Sequence, residues 1–80
     1  MSNIITSHKE LDCRGLLCPM PIIRTFQALK ELDVGQVLKV VATDAGFPVD
    51  IEAWAKQTGH HLLGVEREHS QYVAYIQRAK

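Results

Sequence analysis

Two amphipathic helical segments set among about four strand-like runs predict an α/β (α+β) two-layer sandwich of order βαβαββ, with a four-stranded mixed sheet and both helices on one face. Three observations carry the prediction: apolar residues at helical spacing after residue 19, the β-branched run "QVLKVVATD", and two further strand candidates close together at the end of the chain. Eighty residues allow one hydrophobic core and not two, so residues 1–80 are read as a single domain.

The elements follow in chain order. "KELDCRG" is a short extended segment closed by Gly15. Residues 19–32 place Ile22, Ile23, Phe26, Leu29 and Leu32 on one helical face, with Arg24, Gln27, Lys30 and Glu31 between them, and "DVG" ends the helix. "QVLKVVATD" has the length and near-continuous apolarity of a strand covered on at least one face, and Asp44 and Gly46 terminate it. In "FPVDIEAWAKQTG", Pro48 stands near a helix start, Ile51, Trp54, Ala55 and Thr58 share a side, and Gly59 occupies the C-terminal cap position. "HHLLGVERE" and "QYVAYIQR" read as a hairpin turning at His69 and Ser70, without the Asn-Gly or Asp-Gly signal of the tightest turns.

Composition narrows the function. Hydrophobic residues make up 46% and charged residues 22%, the balance of a globular chain that folds alone. Nine basic residues match nine acidic ones, which leaves no overall field to hold an extended polyanion, so direct nucleic-acid binding is not expected. The apolar runs fall far short of the roughly 20 residues a membrane helix needs. "MSNIITSHKE" lacks the basic start and apolar middle of a signal peptide, and the expected location is the cytoplasm. Two cysteines cannot build a disulfide framework, and free thiols are the default in a reducing compartment.

Attention then falls on "LDCRGLLCPMPIIR", residues 11–24, where Cys18 directly precedes Pro-x-Pro. Proline suits the first turn of a helix, so Pro19 and Pro21 place a helix start at or just after Cys18. Unpaired N–H groups and the helix dipole at such a start favour a thiolate, and can bring a cysteine pKa from about 8.5 into the range of roughly 3.5 to 7.5. On this reading Cys18 is largely ionised at neutral pH and is a nucleophile candidate. The competing reading is a small capping or half-buried residue without reactivity.

The same residues resemble a known family. Leu11, Asp12, Gly15, Cys18, Pro19 and Pro21 match the pattern Leu-Asp-x-x-Gly-x-x-Cys-Pro-x-Pro of the TusA/SirA-like family of small sulfur-carrier proteins. "GQVLKVVATDAGFPVDIEAWAKQTGHHLL" is similar to that family's middle section. The resemblance implies a sandwich like the C-terminal domain of translation initiation factor 3, the architecture to which the residue pattern leads by itself. It implies a sulfurtransferase in which Cys18 accepts sulfane sulfur as a persulfide from a cysteine desulfurase or a rhodanese. The sulfur then passes to an acceptor thiol on a DsrE-like or other sulfur-relay protein, in tRNA thiolation, molybdenum cofactor metabolism or sulfur oxidation. No cofactor beyond the covalent sulfur and no metal is implied, and a monomer is the simplest form for a chain that shows one thiol to successive partners.

Around Cys18, Pro19, Pro21, Gly15 and Asp12 are read as support for the helix start, with Asp12 a polar partner for the loop. Cys13, Arg14 and Arg24 are candidate accessory residues. Cys13 either ends a strand as a small residue or attacks a Cys18 persulfide, closing a disulfide and releasing sulfide. Arg14, Arg24 and Lys30 are candidates for a positive rim that favours the anion or meets an acidic partner surface. His8, His60, His61 and His69 read as solvated surface, and Phe26 and Trp54 as core. Two alternatives remain: a non-catalytic RNA-binding or regulatory module, suggested by the fold's likeness to a translation factor domain, and a dithiol redox protein using Cys13 and Cys18, whose spacing is not Cys-x-x-Cys.

Overall fold

A computed structural model of the chain describes residues 7–80; the reading of the first ten residues as no signal peptide falls largely on 1–6, outside them. The elements are β1 (Lys9–Cys13), α1 (Met20–Leu29), β2 (Val37–Ala42), α2 (Phe47–Thr58), β3 (His61–Glu68) and β4 (Gln71–Gln77), in the βαβαββ order that the sequence predicts. They form one four-stranded mixed sheet of spatial order β1-β2-β4-β3. β1 runs parallel to β2, while β4 is antiparallel to both β2 and β3.

Alternation along the strands sends one set of side chains toward the helices. Leu38, Val40, Ala42, Ala74 and Ile76, each fully buried, meet Leu29, Phe47, Ile51 and Ala55 from the two helices in a single core. The opposite sheet face carries alternating residues such as Glu10, Lys39 and Glu66, the pattern of a sheet covered on one side. β3 carries a register irregularity between Leu62 and Gly64, which leaves Leu63 exposed. The hairpin closes through His69 at φ +56° and Ser70, so a non-glycine residue supplies the left-handed backbone that Asn-Gly would have signalled.

Helix α1 departs from the predicted face. Its buried residues are Pro21, Thr25, Ala28 and Leu29, whereas Ile23 and Phe26 are more than two-fifths exposed. Small side chains face the sheet and allow a close approach. Ile22 packs at the core's margin, and Phe26 instead meets Trp54 of α2 edge to face, at 6.4 Å between ring centroids. Buried Thr25 satisfies its hydroxyl by donating to the Pro21 carbonyl at 2.8 Å, a bond internal to the helix that needs no polar partner in the core. The helix also stops at Leu29 rather than Leu32. Beyond it the Arg78 guanidinium donates to the carbonyls of Leu29 and Leu32, a cap supplied from the far end of the chain. α2 keeps to its prediction: Ile51 and Ala55 are buried, and Gly59, at φ +83°, donates its N–H to Ala55 at 2.9 Å.

Parallel pairing sets the position of the loops that matter most. Cys13, the last residue of β1, pairs in register with Ala42, the last of β2. The segments that lead into α1 and α2 therefore leave the sheet side by side. They are stitched together where the Gly15 N–H donates to Thr43 Oγ1 at 2.9 Å.

Two outcomes test this packing. Ile51→Ala removes a fully buried side chain and is expected to cost about 2–5 kcal/mol in chemical denaturation; a loss under about 1 kcal/mol would contradict the core assignment. Thr43→Val is expected to raise hydrogen exchange at the Gly15 amide by up to about tenfold, since one net hydrogen bond is worth about 0.5–1.5 kcal/mol. An unchanged rate would remove the stitch.

Candidate functional site

Cys18 lies in the β1–α1 segment, exposed, and both cysteines of the chain are free thiols. The helix behind it begins at Met20 with Pro19 as its N-cap residue and a proline in its first turn, as expected, and the Cys18–Pro19 peptide is cis. The backbone donors do not form the expected cradle. Pro19 and Pro21 have no N–H, Met20 donates to the Leu17 carbonyl at 2.9 Å, and Ile22 donates back to Pro19 at 3.1 Å. The prolines that mark the helix start thus also remove the N–H groups that an anion would use there.

The charges near Cys18 differ in sign from the expected positive rim. Asp50, in the first turn of α2, and Asp44, in the preceding loop, are the carboxylates whose negative charges act on Cys18. The Oδ2 atoms of Asp44 and Asp50 lie 3.5 and 3.7 Å from the point where a side chain on Gly46 would begin, so the two carboxylates converge over that glycine. Interaction with the Asp50 carboxylate, with partial desolvation and the field of Asp44, pushes the Cys18 thiol up. This shift runs opposite to the one that the helix start led the sequence to predict for Cys18.

The expected cations are engaged elsewhere. Arg14 reaches back to Asp12 through two bonds, Nε to Oδ1 at 2.9 Å and Nη2 to Oδ2 at 3.0 Å, and its own N–H donates to Oδ1 at 3.0 Å. These bonds hold the Asp12 carboxyl down at about 2 and tie Arg14 to the end of β1. Gly15, at φ +82°, makes the turn that follows, in a region open to glycine at no steric cost. Arg24 is exposed on α1 and its field falls on Cys13. Lys30 lies over the Phe26 ring, 4.3 Å from its centroid.

Cys13 is fully buried in the core cluster, and burial pushes its thiol up. That is the surrounding of a small packing residue rather than of a thiol that meets a partner. Two of the histidines also differ from solvated surface. His8 Nδ1 accepts the Val37 N–H at 3.0 Å, and His60 Nδ1 accepts the Ala79 N–H at 3.1 Å while its ring lies 5.5 Å from that of Trp54. Burial, with Arg78 and Lys80 nearby, moves His60 down. Among the described residues no group of three or more His, Cys, Asp or Glu could hold a metal ion, and no helix is long and apolar enough to cross a membrane.

Sequence reasoning missed Asp44, Asp50 and Thr43. A signal for them existed in the predicted topology: if the first two strands pair in parallel, the segments after each must emerge at the same end of the sheet. Apolar side chains also stand exposed on both helix starts, with Leu17 and Met20 beside Cys18 in sequence and Val49 beside Asp50.

Comparison with known proteins gives this site a family. The family model described as Sulfurtransferase TusA matches residues 9–78. The sulfur carrier protein TusA of Allochromatium vinosum is 42% identical over 71 residues, which cover 89% of this chain and 93% of that protein. A longer relative from Aquifex aeolicus is 45% identical over 75 residues; these cover 94% of this chain but only 38% of that protein, so the chain spans well under half its length. In structure, a SirA-like protein from Desulfitobacterium hafniense superposes with a TM-score of 0.77 at 25% identity, covering 90% of this chain and 99% of that one. With the fold, the Cys-Pro-x-Pro helix start and a family model spanning nearly every described residue all in agreement, the chain belongs to the TusA sulfurtransferase family.

Proposed function

We propose that Cys18 is the residue that carries the sulfur, as a persulfide, from a donor protein to an acceptor protein. The observation that carries this reading is the contrast between the two thiols: Cys18 is exposed at the head of α1, whereas Cys13 has no exposed surface. Sulfur exchange needs a sulfur that a partner's sulfur can reach in line, and only the exposed thiol offers that.

The loading step balances without a redox partner. As its thiolate, Cys18 attacks the outer sulfur of a protonated donor persulfide, a new S–S bond forms to Cys18, and the donor's S–S bond breaks. The donor sulfur keeps the electron pair and takes up the proton that Cys18 gives up. Donor thiol and Cys18 persulfide result, and the reverse sense of the same exchange delivers the sulfur to an acceptor thiol. A cysteine desulfurase or a rhodanese suits the donor role, and a DsrE-like or other sulfur-relay protein suits the acceptor role. The relay would serve tRNA thiolation, molybdenum cofactor metabolism or sulfur oxidation. The chemistry calls for no cofactor other than the transferred sulfur, and a cytoplasmic monomer fits a thiol that meets partners in turn. Leu17, Met20 and Val49, exposed around the two helix starts, offer apolar surface on which such partners could seat while Cys18 is engaged.

Intact-mass spectrometry after incubation with a cysteine desulfurase and cysteine tests the proposal. The parent chain and Cys13→Ala are expected to gain one sulfur atom, reversibly with reductant, and Cys18→Ser to gain none. Sulfur retained on Cys18→Ser, or no loading of the parent chain from either the desulfurase or a rhodanese with thiosulfate, would overturn it.

A further inference from the structure

The segment from Arg14 to Pro19 carries Cys18 between β1 and α1. Its own hydrogen bonds are local: Arg14 reaches back to Asp12, the Leu16 N–H donates to the Cys13 carbonyl at 3.2 Å, and the Met20 N–H donates to the Leu17 carbonyl at 2.9 Å. Such bonds curl the chain without attaching it to anything beyond β1 and α1. Packing holds it at Leu16, which lies at the margin of the core, whereas Leu17 is 70% exposed and Cys18 is exposed. Among the described residues, the bond from the Gly15 N–H to Thr43 Oγ1, at 2.9 Å, is the one hydrogen bond that ties the segment to another part of the molecule. It falls at Gly15, whose left-handed backbone at φ +82° marks the point of widest conformational freedom. The acceptor stands on a firm frame: Thr43 directly follows β2, whose last residue, Ala42, is fully buried and pairs with Cys13. The β-branch of threonine further limits where its oxygen can stand.

Resting on the reading of Cys18 as the carrier, we propose that Thr43 is a positioning residue for sulfur transfer: by pinning Gly15 it holds the Cys18 loop in the orientation from which a docked partner's sulfur is met in line. Exchange between sulfurs depends on which sulfur is attacked and on access to it. A misplacement of about 1 Å in such a geometry can cost about a hundredfold in rate. α1 holds the far end of the segment, so the Gly15 pin limits its play at the near end. Thr43 touches neither reacting sulfur and acts only by restricting where Cys18 stands. The same bond keeps the Cys18 loop beside the loop of Asp44, the residue that follows Thr43 and whose charge acts on Cys18.

Thr43→Val removes the acceptor and nearly keeps the shape, and Thr43→Ser keeps an acceptor. Thr43 is exposed, so both variants are expected to fold, which circular dichroism checks. Thr43→Ala repeats the removal should the valine variant fold poorly. The first readout needs no sulfur donor: NMR order parameters at the Leu17 and Cys18 amides are expected to fall in Thr43→Val and to stay near the parent's in Thr43→Ser. The second is the rate of sulfur loading from a cysteine desulfurase with cysteine, followed by intact mass over a range of desulfurase concentrations. Thr43→Val is expected to lower the maximal rate by about two- to tenfold, the weight of one net hydrogen bond, with little change in the half-saturating desulfurase concentration. Thr43→Ser is expected to restore the rate. A general loss of stability would not divide the two kinetic quantities in this way. Order parameters or a maximal rate equal to the parent's in the folded acceptor-free variant would overturn the proposal, as would an effect confined to the half-saturating concentration. A parent chain that takes up no sulfur would overturn the reading of Cys18 instead, and the order parameters would still decide whether Thr43 positions the loop.

Discussion

Parallel pairing of β1 with β2 is the constraint on which the rest of the site depends. Two parallel strands joined by a crossover helix must release their following loops at the same end of the sheet. Here the register brings Cys13 opposite Ala42, so the segment that bears Cys18 and the segment that bears Asp44 and Asp50 emerge as neighbours. The Gly15 to Thr43 bond and the Asp12 to Arg14 bonds then reduce the freedom of the first loop. Burial of Leu38, Val40, Phe47 and Ile51 holds the whole arrangement, since any slip of β1 by one residue would turn Leu11 and Cys13 out of the core.

The electrostatics of the site follow from this placement more than from the helix that Cys18 precedes. A bare helix start would favour the thiolate through its free N–H groups. Two prolines and two internal hydrogen bonds remove those donors here, and the carboxylates of Asp50 in α2 and Asp44 in the loop before it act against the thiolate instead. The result is an exposed sulfur whose surroundings disfavour the thiolate. In the proposed carrier role such restraint has a physical use, because a free thiolate on the surface reacts with whatever electrophile it encounters. The second thiol is silent for another reason: Cys13 is packed among apolar side chains and contributes to the core.

Much of the fold was legible in the sequence because its signals are local. The alternation of elements, the Gly59 cap and the proline-marked start of α1 each depend on residues near one another in the chain. The apolar face of α1 was less legible. Its apolar residues cover more than one side, and only the packed structure shows that small Thr25 and Ala28 face the sheet while Phe26 turns to Trp54. Arg78 as a cap for α1 joins positions 29 and 78, a separation that no local pattern encodes. For the site, Cys18 itself was legible from its motif, but the carboxylates that act on it were not, because Asp50 is 32 residues away in sequence and its loop is brought near only through the sheet register. The prolines did carry half of the answer, as residues without an N–H to offer.

The central claim is that carboxylates at and before the start of α2, rather than the helix that follows Cys18, set the electrostatics around its sulfur. It is tested most directly by following the Cys18 β-carbon chemical shift through a pH titration in the reduced protein. The account predicts a single thiol-to-thiolate transition centred above the ordinary cysteine value of about 8.5, with a smaller step where neighbouring carboxyl groups titrate. A midpoint at or below the ordinary value, with no response to the carboxyl groups, would contradict it.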